Sequence, residues 1–120
     1  MALMQMYLNK GEYGGKRFIS ETTMKEFTRC QFCAKDNRRG LGFDKPVPDG
    51  EGGPTCNCVS LVSFGHTGFT GTMAWADPEE QIVYVFLSNR VYPDAENKKL
   101  LRMDVRTRIQ EMIYDARVEE

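Results

Sequence analysis

Ser63-Phe64-Gly65-His66-Thr67-Gly68-Phe69-Thr70-Gly71-Thr72 is the stretch whose reading decides the fold. It carries the only histidine of the 120-residue chain, interleaved with hydroxyl side chains and three glycines. Glycines in a strand weaken it, and they let a second backbone or a ligand come close. A strand that accepts this loss reads as the wall of a site rather than as plain core.

Outward from that stretch, the pattern predicts strands over 63–68 and 70–76, the second presenting Trp75 as a large packing surface. Asp77-Pro78-Glu79-Glu80 reads as the turn that follows. The clearest strand spans 81–89, where Ile82-Val83-Tyr84-Val85-Phe86-Leu87 is continuously apolar. Such a run predicts burial on both faces, which requires layers above and below the sheet. The fold class that follows is α+β, a small antiparallel sheet flanked by helices.

Upstream, Leu3, Met4, Tyr7 and Leu8 repeat at helical spacing until Gly11 stops the run. This predicts the end of a helix whose beginning lies outside these residues. Gly14-Gly15 marks a tight turn. A second short helix follows, with Ser20 as N-cap, Glu21 in its first turn, and Met24 and Phe27 on one face. Residues 29–57 shift to Gly, Pro, Asp and Cys, including Asp49-Gly50, and predict a long loop around one short strand near 41–43. Within it, Arg38-Arg39 has the chemistry to recognise a carboxylate, against the plainer reading of a solvated charge pair. Downstream of Pro93 a single long helix is predicted, capped near Asn97, with Leu101, Val105, Ile109, Met112, Ile113 and Ala116 as its apolar stripe.

The four cysteines fall in two close pairs, Cys30-x-x-Cys33 and Cys56-x-Cys58. Free thiols, disulfides of any connectivity and a four-thiolate zinc site are all open on spacing alone, although the second pair is too close for the usual zinc knuckle. A formal net charge of −1 gives no footprint for nucleic acid or an anionic membrane surface. No apolar run is long enough to cross a bilayer, and the first residues do not form a signal peptide.

The run His66-Thr67-Gly68, leaving one strand and turning into the next, resembles the Lys/His-Thr-Gly element of the serine β-lactamase and penicillin-binding protein superfamily. It is most similar to the branch of class C β-lactamases, esterases and D-aminopeptidases. The context resembles that family too, through Phe64 to Thr72, Trp75, Asp77-Pro78 and the strand ending in Ser88-Asn89-Arg90. So do the helix and Gly-rich turn of residues 4–17, Gly40-Leu41-Gly42-Phe43, and the C-terminal helix.

The resemblance implies that residues 1–120 are the C-terminal portion of a β-lactamase-like serine hydrolase domain, an incomplete domain. It implies amide or ester hydrolysis through a serine acyl-enzyme, no metal or other cofactor, and a periplasmic or secreted location. His66 would contact a substrate carboxylate or assist proton transfer, and the backbone N–H of Phe69 would be one oxyanion donor. Thr67 would hydrogen-bond the substrate, and Gly68 would let the acyl group lie against the backbone. The family's nucleophile sits in Ser-x-x-Lys, yet Ser20, Ser60, Ser63 and Ser88 are followed three residues on by Thr23, Ser63, His66 and Val91. The expectation is therefore a chain inactive alone, taking a small-molecule or peptide substrate only in the intact domain. Self-association through an exposed sheet edge would accompany that incompleteness. Tyr7-Leu8-Asn9 matches the family's Tyr-x-Asn only by coincidence, because residues two apart on a helix point in different directions. The rival from another class is a non-catalytic interaction module or a zinc-stabilised structural domain.

Overall fold

In a computed structural model, which describes residues 1–48 and 52–117, the chain begins with α1 (Ala2–Leu8) and a hairpin of β1 (Glu12–Tyr13) and β2 (Lys16–Arg17). It continues through α2 (Glu21–Thr28) and a 3-10 turn (Cys33–Lys35) to three strands, β3 (Phe64–Thr67), β4 (Met73–Asp77) and β5 (Ile82–Phe86). Two helices close it, α3 (Lys99–Arg102) and α4 (Val105–Asp115). The three strands form one antiparallel sheet in the order β3-β4-β5, with Gly65 opposite Trp75 and Trp75 opposite Tyr84.

Strand alternation divides these side chains between two cores. On one face Phe64 and Ala76, with Ala74 and Val83 beside them, pack against Met4, Tyr7 and Leu8 of α1 and against Phe43. On the other, Met73, Trp75 and Tyr84 pack with Val59 and Phe86. Trp75 is 1% exposed, and a buried aromatic of this size is worth roughly 3–5 kcal/mol against alanine. α4 covers this second face through polar contacts, with the Tyr84 hydroxyl donating to the Arg106 carbonyl at 3.0 Å and the Cys56 N–H donating to Gln110 Oε1 at 3.1 Å. The α+β class expected from sequence is thus the observed one, but β5 itself is not buried on both faces: it lies at the sheet edge, where Tyr84 is its one buried residue and Leu87 just beyond it is exposed.

Several local expectations hold. The Ser20 side chain caps α2 by accepting from the Thr23 N–H at 3.1 Å, and Met24 is its buried residue. The Gly14-Gly15 turn has positive φ at both glycines, which suits a two-residue hairpin. Near the expected cap, the Asn97 side chain accepts from the Lys99 N–H, although the N-cap position of α3 is the next residue, Lys98. The Asp49-Gly50 turn lies outside the described residues.

Others need correcting. No strand forms at 41–43, because Gly42 takes φ +80 and turns the backbone; the extended pairing is one residue later, a single bridge of Asp44 to Gly65. The predicted C-terminal helix is two helices, broken where Asp104 adopts a left-handed φ of 49. Its apolar stripe does not face the sheet. Leu101, Ile109, Met112 and Ile113 are exposed, and the buried residues are Gln110 and Tyr114. In α1, Leu3 is exposed and Met6 is buried in its place, and Phe27 of α2 is also exposed. The cysteines pair locally, Cys30 with Cys33 and Cys56 with Cys58. Four thiolates therefore do not converge, and among the described residues no group of Cys, His, Asp and Glu is arranged to hold a metal.

Candidate active site at the end of the third strand

β3 is an edge strand held on both sides near its start. β4 pairs along it from Phe64 to Thr67, and on its outer side Gly65 exchanges both backbone hydrogen bonds with Asp44, at 2.7 and 3.1 Å. Gly65 is required there, because a Cβ would sit 2.2 Å from the Ala74 carbonyl oxygen and 2.4 Å from the Trp75 ring. The Trp75 indole N–H donates to the buried Ser63 hydroxyl at 3.0 Å, locking the ring under the strand. His66, next along, turns to the same face as Phe64 but beyond the core, where it is exposed.

The β3–β4 turn follows. Gly68 N–H donates to the Thr72 carbonyl at 2.8 Å and Gly71 N–H to the Gly68 carbonyl at 3.0 Å. At Gly68 a Cβ would meet the Thr72 hydroxyl at 2.3 Å, so the glycine is needed for the turn itself. The Phe69 N–H makes no hydrogen bond among the described residues, and its side chain is exposed with the Arg90 guanidinium 5.1 Å from the ring centre. Ser88 Oγ–H and Arg90 N–H both donate to the Thr70 carbonyl, tying the turn to the residues after β5. The Thr67 hydroxyl likewise has no partner among the described residues. The four residues singled out from sequence, His66, Thr67, Gly68 and Phe69, therefore lie together at one open strand end with an unused backbone donor and an unused hydroxyl.

Two contacts orient the His66 ring. Nδ1 lies 2.7 Å from the Thr67 carbonyl, which can only accept, and Nε2 lies 3.1 Å from Arg39 Nη1, which can only donate. These two contacts match an Nδ1–H ring that accepts at Nε2 from the guanidinium. Arg39 and its neighbour share one carboxylate. Arg38 Nη2 donates to Asp44 Oδ2 at 3.2 Å and its Nε is ion-paired with Oδ1 at 2.9 Å without aiming its N–H at it, while Arg39 Nε stands 3.8 Å from Oδ1. Asp44 is buried, 3% exposed, and its charge is met by these cations and by the Lys45 N–H, which donates to Oδ1 at 2.9 Å.

Sequence reasoning noticed Arg38-Arg39 but could not place it beside His66, since 27 residues separate Arg39 from the histidine. Asp44 gave no sign of its role. Tyr7 and Asn9 do not join this site: Tyr7 stacks edge-on against Phe43 at 5.3 Å, and Asn9 is exposed past the end of α1.

A separate cleft of about 510 Å³ opens between α1, α2 and residues 61–64. Lys45 stands in its wall, donating to the Val62 carbonyl at 2.9 Å, and burial pushes its ammonium down to about 8.

Comparison with known proteins bears on the family and the fold. The Beta-lactamase family model matches residues 3–107. A protein of Salmonella enteritidis PT4 named "Putative D-alanyl-D-alanine carboxypeptidase" is 34% identical over 99 residues, which cover 82% of this chain and 22% of the relative. Proteins of the same name from Salmonella paratyphi B and Salmonella newport match to the same extent. The chain thus spans about a fifth of the length of these curated relatives.

Proposed function

From the premise that the chain belongs to the Beta-lactamase family, the superfamily of serine β-lactamases and penicillin-binding proteins, we propose that it supplies the His-Thr-Gly wall of a serine acyl-transfer site. In that site a serine attacks an amide or ester carbonyl and a base takes its proton. The developing oxyanion needs two aimed donors. The Phe69 N–H serves as one of them, Thr67 holds the substrate, and Gly68 leaves room for the acyl group. The observation that carries this reading is the open strand end at which the Phe69 N–H stays unbonded beside Thr67 and an exposed His66.

The attacking serine is not encoded here, because no Ser-x-x-Lys occurs in these residues. The chain alone is therefore inactive, and the reaction needs a longer protein or a second piece. The name carried by the Salmonella relatives favours peptides ending in D-amino acids as substrates, with β-lactams and simple esters as alternatives. Fluorescent penicillin and a fluorophosphonate probe test this. The 120-residue chain should take no label, and the same residues joined to their upstream coding sequence should be labelled on a Ser-x-x-Lys serine. Labelling of the chain alone, or none on the folded longer protein, would remove the proposal.

The same incompleteness leaves β5 with β4 as its one strand neighbour among the described residues. Its apolar run ends at Leu87, 79% exposed, and no charge or proline between residues 82 and 87 protects that edge. Self-association through β5 should appear as a mass that rises with concentration in sedimentation. A constant monomer mass would count against an open edge.

A further inference from the structure

Lys45 is a buried cation short of partners. The residue is 6% exposed, and of the three N–H groups on its ammonium one donates to the Val62 carbonyl at 2.9 Å. The Phe64 ring centre lies 6.0 Å away, and among the described residues no carboxylate is ion-paired with the ammonium. The Asp77 charge reaches it without contact; that carboxylate is already filled by donors from Ser60, Glu79, Glu80 and Tyr114. Burial outweighs the attraction and pulls the ammonium down. A buried charge in this condition lacks a counter-ion.

The space beside it is the cleft of about 510 Å³, whose apolar lining is Tyr7, Leu8, Met24, Leu61, Val62 and Phe64. That size and lining suit a small apolar ligand. Leu61 and Val62 remain 62% and 48% exposed, so the cleft offers aliphatic surface that nothing in the fold covers. Lys10, Lys25 and Arg29 line it as well, but each has a carboxylate of its own. Lys10 and Lys25 share Glu21 at 3.3 and 3.4 Å, and Arg29 holds Glu26 at 2.6 Å. Lys45 is therefore the cation of the lining that has charge to offer an incoming anion.

We propose that this cleft binds a free, single-chain carboxylate amphiphile of the medium-chain fatty-acid class, its carboxylate on Lys45 Nζ and its alkyl chain along the six apolar side chains. The anion answers the two unused N–H groups with charge-assisted hydrogen bonds in an apolar wall. The chain covers Leu61 and Val62, and each methylene withdrawn from water adds to the affinity. An uncharged amphiphile would gain the second of these and forfeit the first. The inference owes nothing to the hydrolase reading.

Octanoate and octanol, equal in chain length, are titrated in parallel into the 120-residue chain, with the Lys45 side chain and the Leu61 and Val62 amides followed by NMR. Octanoate should saturate all three signals and bind roughly tenfold or more tighter than octanol, as expected for a charged hydrogen bond. Butyrate, with the head group and little chain, should bind more weakly than octanoate. At saturation the Lys45 titration midpoint should rise by about one pH unit or more, since the bound anion favours the charged amine. That shift needs no variant. Lys45→Met keeps an unbranched chain and removes a buried charge, so it should fold; it should lose the preference for octanoate and leave octanol binding unchanged. Equal affinity for acid and alcohol, an unmoved midpoint, or wild-type octanoate affinity in Lys45→Met overturns the inference. So do two other occupants: a second copy, if the Lys45 signal moves with protein concentration in step with the mass in sedimentation, or the upstream segment, if joining it abolishes the octanoate response.

Discussion

Gly65→Ala should destabilise the protein by about 3 kcal/mol or more, a large effect for adding one methyl group. The new Cβ would stand 2.2 Å from the Ala74 carbonyl oxygen and 2.4 and 2.7 Å from two atoms of the Trp75 ring. Neither neighbour can yield. Ala74 is paired on both sides, with His66 in β3 and Val85 in β5, so its carbonyl moves only if the sheet moves. Trp75 is sealed in the second core and its indole N–H is committed to Ser63. The remaining response is for β3 to lift away from β4, which also displaces His66 and the turn at Phe69. The midpoint of urea unfolding measures the effect. Measured against a Trp75→Leu protein instead of the wild type, the same Gly65→Ala change should cost less, because the ring contact is gone and only the carbonyl contact persists. A Gly65→Ala protein within about 1 kcal/mol of wild type would mean that β3 does not lie against Trp75 in this way.

That glycine shows how much could be read without coordinates. The uninterrupted apolar run from Ile82 to Leu87 was enough to predict a sheet with a layer on each face, although within that run Tyr84 alone is buried. Val83 joins one core and Tyr84 and Phe86 the other, each completed by residues from elsewhere in the chain. Ser20 and Gly14-Gly15 were legible for the same reason: a cap and a tight turn are local, and their chemistry is complete within a few residues.

What was not legible depends on distant partners. The C-terminal helix has an apolar stripe at Val105, Ile109, Ile113 and Ala116, and periodicity alone turns that stripe inward. The sheet instead receives the next face round, one residue on, at Arg106, Gln110 and Tyr114. There the helix answers polar groups of the sheet and the Cys56 loop: Arg106 reaches the Gly71 and Thr72 carbonyls at 3.4 Å, and Tyr114 reaches Asp77. A hydrophobicity pattern carries no term for such partners. The candidate site divides the same way. His66, Thr67, Gly68 and Phe69 are contiguous and could be named together. Arg39 and Asp44 come to them only because a one-residue bridge, Asp44 to Gly65, folds their loop against β3.

Asp77→Ala is the other substitution with a large expected effect, about 4 kcal/mol. Asp77 is 0% exposed at the end of β4, and one carboxylate accepts five hydrogen bonds there. Oδ1 takes the Ser60 hydroxyl at 2.5 Å and the N–H groups of Glu79 and Glu80 at 3.2 and 3.3 Å. Oδ2 takes the Ser60 N–H at 2.8 Å and the Tyr114 hydroxyl at 2.9 Å. The group thus joins the loop before β3, the β4–β5 turn and α4. Alanine leaves the two Ser60 donors and the Tyr114 hydroxyl unanswered, each costing about 1–3 kcal/mol when buried. Asp77→Asn keeps the shape but replaces one acceptor with a donor aimed at other donors, so it should fall between alanine and wild type. Tyr114→Phe removes a donor together with its need for a partner and should cost only about 1 kcal/mol. It should also alter the alkaline limb of the stability curve. Burial first, and then the hydrogen bond to Asp77, raise the Tyr114 hydroxyl above the ordinary tyrosine range. The folded protein therefore holds that proton longer than the unfolded chain does. Stability from this source is complete below the unfolded value of about 10 and declines as pH rises above it, a decline that Tyr114→Phe should remove. Unfolding midpoints for the three variants at neutral and alkaline pH measure all of this. An Asp77→Ala protein losing less than about 1 kcal/mol would show that α4 is not anchored to the sheet through this carboxylate.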